Sequence, residues 1–191
     1  MPMTRFVFLL LLCFVAEPSF ATPIGLKGTG GTSTQTSLTR GVAWLAKGKL
    51  REAEMAFKKS LRHNPERIGA LLGLAQVALK RGDIQEGTKN LKKALKAAPK
   101  NPAVHIAWGR FQFSLNKTER AEAALKKAVA LSPESAQTRK ELGDFYLNGL
   151  KKPDKAVRQY RAALRLSPGH VGARHALRKA LALSSQKTAP K

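Results

Sequence analysis

The chain has 191 residues, 43% of them hydrophobic, which suits a single domain with a packed core and argues against disorder along the whole chain. Its 35 Lys and Arg residues oppose only 12 Asp and Glu residues, giving a net charge of +23. This exceeds what solubility requires and indicates a polyanionic partner or surface, without naming one.

The first 21 residues have the pattern of a secretory signal peptide. A short basic start at Arg5 is followed by an apolar run from Phe6 to Ala16, and residues 19–21 (Ser-Phe-Ala) form a small-x-small cleavage site. The apolar run is 11 residues long, whereas a helix that spans a bilayer needs about 20. We therefore expect an exported protein, periplasmic in preference to secreted or membrane-associated.

Cleavage after Ala21 would remove Cys13, which is the only cysteine. We therefore expect neither thiol chemistry nor disulfides in the mature chain. A lipid anchor on Cys13 is the alternative, but Leu12 stands where a small residue would be needed. Cleavage also removes one Arg and one Glu, so the mature chain keeps the whole net charge of +23.

Residues 22–36 are rich in Gly and Thr and have no apolar period, so they are predicted to form a flexible linker. The glycines of GLKGTGG do not have the spacing of a phosphate-binding loop, and no strand precedes them. We expect no nucleotide binding there.

From residue 37 onward the sequence repeats with a period of 34 residues. The extra residue of the last unit falls in residues 148–156 (NGLKKPDKA), where we expect a loop that tolerates insertion. Small residues recur at Gly41, Ala75, Gly109 and Gly143, and prolines recur at Pro65, Pro99 and Pro133, with Pro168 following after 35 residues.

Each unit reads as two helices joined by a short turn. Apolar residues recur at spacings of three and four, Gly48, Gly82 or Asn116 marks the turn, and the proline prevents the second helix from continuing. A pair of helices cannot bury its apolar face alone, so the units must stack. We expect units at about residues 37–67, 68–101, 102–135 and 136–170, a capping helix at 171–183, and a disordered tail at 184–191.

The fourth and first units resemble the tetratricopeptide repeat, whose period is also 34 residues. The second unit departs from this pattern, with Ala75, Ala78 and Gly87 at the matching places. The resemblance covers residues 37–168 and implies an all-α fold, a right-handed α-solenoid of four helix-turn-helix repeats with a C-terminal capping helix. The matching residues are Gly41, Trp44, Ala53, Phe57 and Pro65 in the first unit, and Leu142, Gly143, Tyr146, Ala156, Tyr160 and Pro168 in the fourth.

The resemblance also implies that the first helix of each unit lines a concave groove that holds a peptide or helix of a partner protein. We expect Phe113 to be the main partner contact, with Arg110 and Lys140 adding polar contacts. The alternative for any single position is that the side chain packs between adjacent units. The expected groove residues, called the inner groove below, are Leu38, Val42, Leu45, Leu72, Gln76, Leu79, Ile106, Arg110, Phe113, Lys140, Asp144 and Leu147.

The second helices carry lysines that also repeat at 34 residues. Stacking should align them on the convex side. There they are an ordinary solvated face, a contact with an anionic envelope surface, or a site for a polyanion such as an anionic glycan, lipopolysaccharide or nucleic acid. Aromatic residues for base stacking are missing from that face. This set, called the basic ladder, comprises Lys58, Lys59, Lys92, Lys93, Lys126, Lys127 and Arg161, and Arg62, Lys96 and Arg165 extend it.

The sequence offers little for catalysis. Its four histidines are scattered, and no set of His, Cys and acidic residues has the spacing of a metal site or a catalytic triad. We expect no enzymatic activity, no cofactor, no metal and no small-molecule substrate. The oligomeric state is not predicted.

Overall fold

The computed structural model describes residues 32–188, with side chains described for residues 36–185. The predicted signal peptide, Cys13, residues 22–31 of the predicted linker and residues 189–191 of the predicted tail lie outside the described residues.

Residues 32–188 form nine α-helices and one π-helical turn, and this part of the chain contains no strand. The predicted all-α class is therefore confirmed. The elements are α1 (Thr32–Ala46), α2 (Leu50–His63), α3 (Ile68–Arg81), α4 (Ile84–Ala97), α5 (Pro102–Ser114), α6 (Thr118–Leu131), α7 (Ala136–Asp144), the π-helical turn (Phe145–Gly149), α8 (Pro153–Leu166) and α9 (Val171–Thr188).

The helices pack as four hairpins followed by a last helix. The pairs α1/α2, α3/α4, α5/α6 and α7/α8 form units 1 to 4, and α9 packs on α8 and α7. Each odd-numbered helix also packs on the next odd-numbered helix, whereas no two even-numbered helices pack comparably within residues 32–188. The odd-numbered helices therefore lie on the inner, concave side of the stack.

The helix boundaries follow the residues that the sequence marked, with two differences. Each of α2, α4, α6 and α8 ends two residues before the proline of its unit, because proline cannot donate the next helical hydrogen bond. However, α1 begins at Thr32, within the predicted linker, and α9 extends to Thr188. Residues 184–188 are thus helical, and the prediction of disorder is wrong for them.

Small residues let the helices approach closely, as at Gly41. A Cβ atom on Gly41 would lie 2.5 Å from Phe57 Cε1, and a Cβ atom on Gly73 would lie 2.6 Å from the same atom. Phe57 is completely buried and belongs to the same core cluster as Ala53 and Leu74. The ring therefore joins α1, α2 and α3 into one core.

The turn within units 1, 2 and 3 is closed by a residue with a left-handed backbone. Gly48 has φ 73°, Gly82 has φ 79° and Asn116 has φ 59°. Only glycine, and to a lesser degree asparagine, adopts this conformation without strain, which explains the residue types at these turns.

Unit 4 absorbs its extra residue differently from the predicted loop insertion. α7 widens into the π-helical turn, in which Leu150 N–H donates to Phe145 O at 3.0 Å and Lys152 N–H donates to Tyr146 O at 2.8 Å. The left-handed position of this unit is then occupied by Lys151, with φ 53°. The insertion thus changes the end of a helix as well as a loop.

Replacing Lys151 with glycine should raise the free energy of unfolding by about 1 kcal/mol, because a side chain with Cβ is disfavoured in the left-handed region. Urea unfolding followed by circular dichroism measures the change. Lys100→Gly is the control, since Lys100 is an exposed turn residue outside the positive-φ set. An equal gain in both variants would contradict the backbone explanation.

Candidate functional site

The twelve inner-groove residues lie on the odd-numbered helices, but they are not equally accessible. Val42 and Gln76 are exposed, Leu147 is buried, and the other nine are partly buried. The half of the groove in units 1 and 2 therefore differs from the half in units 3 and 4 in what it exposes to solvent.

Units 1 and 2 present an accessible apolar strip. Val42 is 39% exposed and Gln76 is exposed, with Leu45 and Leu79 partly exposed beside them. Leu38 is less available, because its Cδ2 atom would lie 3.2 Å from a Cβ on Gly69 of the next odd-numbered helix. We call Val42, Leu45, Gln76 and Leu79 the apolar strip.

Units 3 and 4 use their groove residues for internal packing. The rings of Phe113 and Phe145 meet edge to face with their centroids 5.4 Å apart, and the Phe113 ring also contacts Gly149. Leu147 is only 3% exposed, so the prediction that it faces a partner is wrong. The π-helical turn begins at Phe145 and changes the angular position of the residues after it, which turns Leu147 into the core.

The polar residues of the inner groove are bound to other residues of the chain. Arg110 forms an ion pair with Glu141, whose other oxygen accepts a hydrogen bond from Gln137 Nε2 at 3.0 Å. His170 Nε2 donates to Gln137 Oε1 at 3.0 Å, since its Nδ1 accepts from Ala173 N–H. These contacts link α5, α7 and the start of α9.

Asp144 is held on both carboxylate oxygens. Lys140 Nζ donates to Oδ2 at 2.7 Å, and the Tyr160 hydroxyl donates to Oδ1 at 2.8 Å. Burial raises the pKa of Tyr160 far above its usual range, and the nearby Asp144 carboxylate adds to this effect. Asp144 therefore connects α7 to α8 through Tyr160, while Lys140 binds the same carboxylate from within α7.

The sequence did not single out Glu141, the buried partner of Arg110. A signal for it exists in the spacing, because contacts between adjacent odd-numbered helices join residues 31 apart. Leu38 and Gly69 have this separation, as do Arg110 and Glu141, and Lys140 meets Gly172 after 32 because unit 4 has one extra residue.

The sequence also missed an open cleft of about 310 Å³ beside unit 1. Trp44 and Met55 contribute its apolar lining, and Met55 is 65% exposed. Lys47 Nζ and Lys49 Nζ lie 5.5 Å and 4.9 Å from the centroid of the Trp44 ring. The repeat pattern assigns Trp44 to the interior, and it is only partly buried here.

All seven residues of the basic ladder are exposed and lie on even-numbered helices. Lys58 Nζ is 2.6 Å from Glu54 Oε1, and Lys126 Nζ is 2.8 Å from Glu122 Oε1. The hydrogen bond from Lys58 lowers the pKa of Glu54, and that from Lys126 lowers the pKa of Glu122. The remaining five are in no ion pair within residues 36–185.

Within the described residues, no group of three or more His, Cys, Asp and Glu side chains could hold a metal ion. His105 is buried, and its Nε2 lies 2.7 Å from Pro99 O, which is a structural contact.

No helix among residues 32–188 combines the length and the apolar character needed to cross a membrane.

The family model described as tetratricopeptide repeat matches residues 45–107 and 78–140. No curated protein matches the chain significantly. The three solved structures compared with it below are 21–24% identical to this chain, so they support the fold alone.

These three structures illustrate the likeness. The MamA protein is 24% identical over 82% of this chain and 85% of its own, with a TM-score of 0.54. The Pseudomonas aeruginosa protein pilF is 22% identical over 83% of this chain and 78% of its own, with a TM-score of 0.62. A tetratricopeptide repeat protein from Parabacteroides merdae is 21% identical over 82% of this chain and 62% of its own, with a TM-score of 0.56.

Proposed function

The chain belongs to the tetratricopeptide repeat family, and we propose that it is a non-catalytic scaffold that binds a segment of another protein in its inner groove. Members of this family are generally scaffolds for protein–protein interaction. The observation that carries the proposal is the apolar strip of units 1 and 2, which remains accessible on the concave side.

The apolar strip fits a short helix or extended peptide with aliphatic side chains. Val42, Leu45 and Leu79 offer apolar contact area, and Gln76 lies among them with an exposed side chain whose amide can bind a backbone group of the partner. Phe113 contributes at most its exposed edge, because the rest of its ring packs on unit 4. The N-terminal half of the groove is therefore the proposed binding site.

The surrounding charge favours a partner segment with acidic flanks. The net charge of the chain is +23, and a complementary charge speeds association without fixing the contacts of the apolar centre.

We further propose that the protein acts outside the cytoplasm, in the periplasm of a bacterium, with secretion or membrane association as alternatives. The support for this location is the signal-peptide pattern of residues 1–21.

Two exposed positions of the apolar strip provide the test. The double variant Val42→Asp, Gln76→Asp places carboxylates in the strip without disturbing buried residues, and Met55→Asp, Gln85→Asp makes the same chemical change at exposed positions of α2 and α4. Each full chain is immobilised, exposed to extract of its own source, and washed at low and then high salt.

We expect the wild type and the Met55/Gln85 variant to retain the same polypeptides at high salt, and the Val42/Gln76 variant to lose them by about tenfold or more, the effect of removing about 1.4 kcal/mol of binding. The helical circular dichroism signal should be equal in all three. Retention by the Val42/Gln76 variant, or loss of every polypeptide at high salt from the wild type, would refute the apolar groove.

A further inference from the structure

The outer faces of the even-numbered helices carry a second, separate feature, a dense positive charge. It extends the basic ladder to twelve residues, all of them exposed. On each of these helices the cations occupy the face opposite the buried residues, so they point away from the core. This outer basic face comprises Lys58, Lys59 and Arg62 on α2, Lys89, Lys92, Lys93 and Lys96 on α4, Lys126 and Lys127 on α6, and Arg158, Arg161 and Arg165 on α8.

Acidic residues neutralise little of this charge. Three of the twelve cations form ion pairs. Lys58 pairs with Glu54 and Lys126 pairs with Glu122. Lys89 Nζ lies 3.6 Å from a carboxylate oxygen of Glu86. Glu54 is shared with Arg81, and Glu122 accepts a hydrogen bond from the Tyr146 hydroxyl at 2.9 Å. The other nine cations of the outer basic face are in no ion pair within the described side chains.

The stability of the fold does not require this concentration of positive charge. Lys89 and Lys93, and likewise Lys92 and Lys96, are four residues apart on α4, where like charges repel each other. Arg161 and Arg165 repeat the arrangement on α8. Glutamate at any of these positions would relieve the repulsion and keep the helix, so the fold tolerates the positive charge and does not require it.

We propose that the outer basic face binds a linear anionic polysaccharide, with sulfate or carboxylate groups, laid across successive even-numbered helices. Packed helices lie about 8–10 Å apart, so the even-numbered helices, which do not pack on one another, are at least that far apart. A polysaccharide chain that crosses these helices meets one row of cations after another, and its attraction to them is strongest at low salt, where the Debye length exceeds its value of about 10 Å at 0.1 M.

The residue types favour a polysaccharide over other polyanions. Most of the twelve are lysines, which are point charges that respond to charge density, in contrast to the planar fork of arginine that grips a single phosphate. The only aromatic residues of the even-numbered helices are Phe57 and Tyr160, and both are buried, so bases of single-stranded nucleic acid have nothing to stack on. The exposed large apolar residues of the even-numbered helices, Met55, Ile84 and Leu166, stand singly on three different helices, so they do not form an apolar face that would insert into a bilayer.

Two variants with equal net charge test the proposal on the full chain. The outer variant replaces Lys92, Lys93, Lys96, Arg161 and Arg165 with Gln. The control variant replaces Lys47, Lys49, Lys100, Lys117 and Lys152, which are exposed residues at the turns, with Gln. Binding to heparin is measured by fluorescence anisotropy between low and moderate salt, with vesicles containing phosphatidylglycerol and single-stranded DNA as parallel probes.

We expect the outer variant to bind heparin at least about tenfold more weakly than the wild type at low salt and to show a shallower dependence of log K on log salt, because it releases fewer counterions. The control variant should change by less than about threefold. Equal losses in the two variants would overturn the proposal and leave a general charge effect.

If the wild type bound the vesicles or single-stranded DNA more tightly than heparin, the polysaccharide proposal would also be overturned. The outer variant leaves the apolar strip intact and should retain polypeptides at high salt, so failure of this proposal and failure of the groove are separable.

Discussion

Replacing Phe57 with alanine is expected to lower the free energy of unfolding by about 3–5 kcal/mol, the largest loss for a single side chain in this fold. Phe57 is completely buried and is enclosed by Gly41 of α1 and Gly73 of α3. Its ring therefore belongs to the core of unit 1 and to the interface between units 1 and 2. Urea unfolding measures the loss.

The close fit between Phe57 and Gly73 gives a sharper test than either substitution alone. Gly73→Ala should cost about 1–3 kcal/mol in the wild type, because the new methyl group overlaps the ring. In the Phe57→Ala background the same change should be neutral or stabilising, since it gains helix propensity and enters an empty space. The two changes should thus show a large coupling energy.

Gly69→Ala on the same helix is the matched control. A Cβ there meets only the flexible end of Leu38, at 3.2 Å, so we expect a change of less than about 0.5 kcal/mol. If Gly73→Ala costs the same with and without Phe57, the ring does not set the helix spacing.

Raising the pH above 10 is expected to destabilise the fold through its buried tyrosines. Burial raises the pKa of Tyr146 to about 12, with Glu122 contributing, and burial raises the pKa of Tyr160 further. In the unfolded chain both hydroxyls ionise near pH 10. Their contribution is therefore complete below pH 10 and is lost as the pH rises through the folded-state pKa values, by roughly 2–3 kcal/mol for Tyr146.

Tyr160→Phe separates this effect from the titration of the lysines. The variant keeps the ring beside Gly143 but has no hydroxyl to ionise, and at pH 8 it should lose about 1 kcal/mol with its hydrogen bond to Asp144. Between pH 10 and 11.5 its stability should fall less steeply than that of the wild type. Lysines titrate alike in both chains, so parallel curves of unfolding free energy against pH would contradict the assignment.

The sequence predicted the helices well because each boundary is marked by local chemistry. Pro65, Pro99, Pro133 and Pro168 stop the second helices wherever they stand in the fold, and the glycines of the turns need a left-handed backbone that other residues avoid. The weaker predictions were at the edges, at Thr32 and Thr188. Pro190 stands two residues after Thr188, the same distance as the prolines that follow the second helices, but the polar residues around it were interpreted as a disordered tail.

The candidate site was predicted less well because accessibility depends on neighbouring units. Val42 and Leu147 were placed together in the inner groove, yet the first is exposed and the second is buried. Leu147 is also more buried than Leu45, Leu79 and Phe113, which hold the same position in the other units, and it lies within the π-helical turn that takes up the extra residue of unit 4. A period read from the sequence gives the register of a position, but not this difference in burial.

By itself, the sequence determined the period, the pairing of helices, the all-α class and the positions of the exposed lysines, because these follow from the spacing of apolar, small and turn residues along one chain. Only the tertiary structure decided which groove residues remain free. Phe113 packs on Phe145, Arg110 pairs with Glu141, and Lys140 binds Asp144. Most of these contacts join residues about one repeat apart, and packing between units selects them.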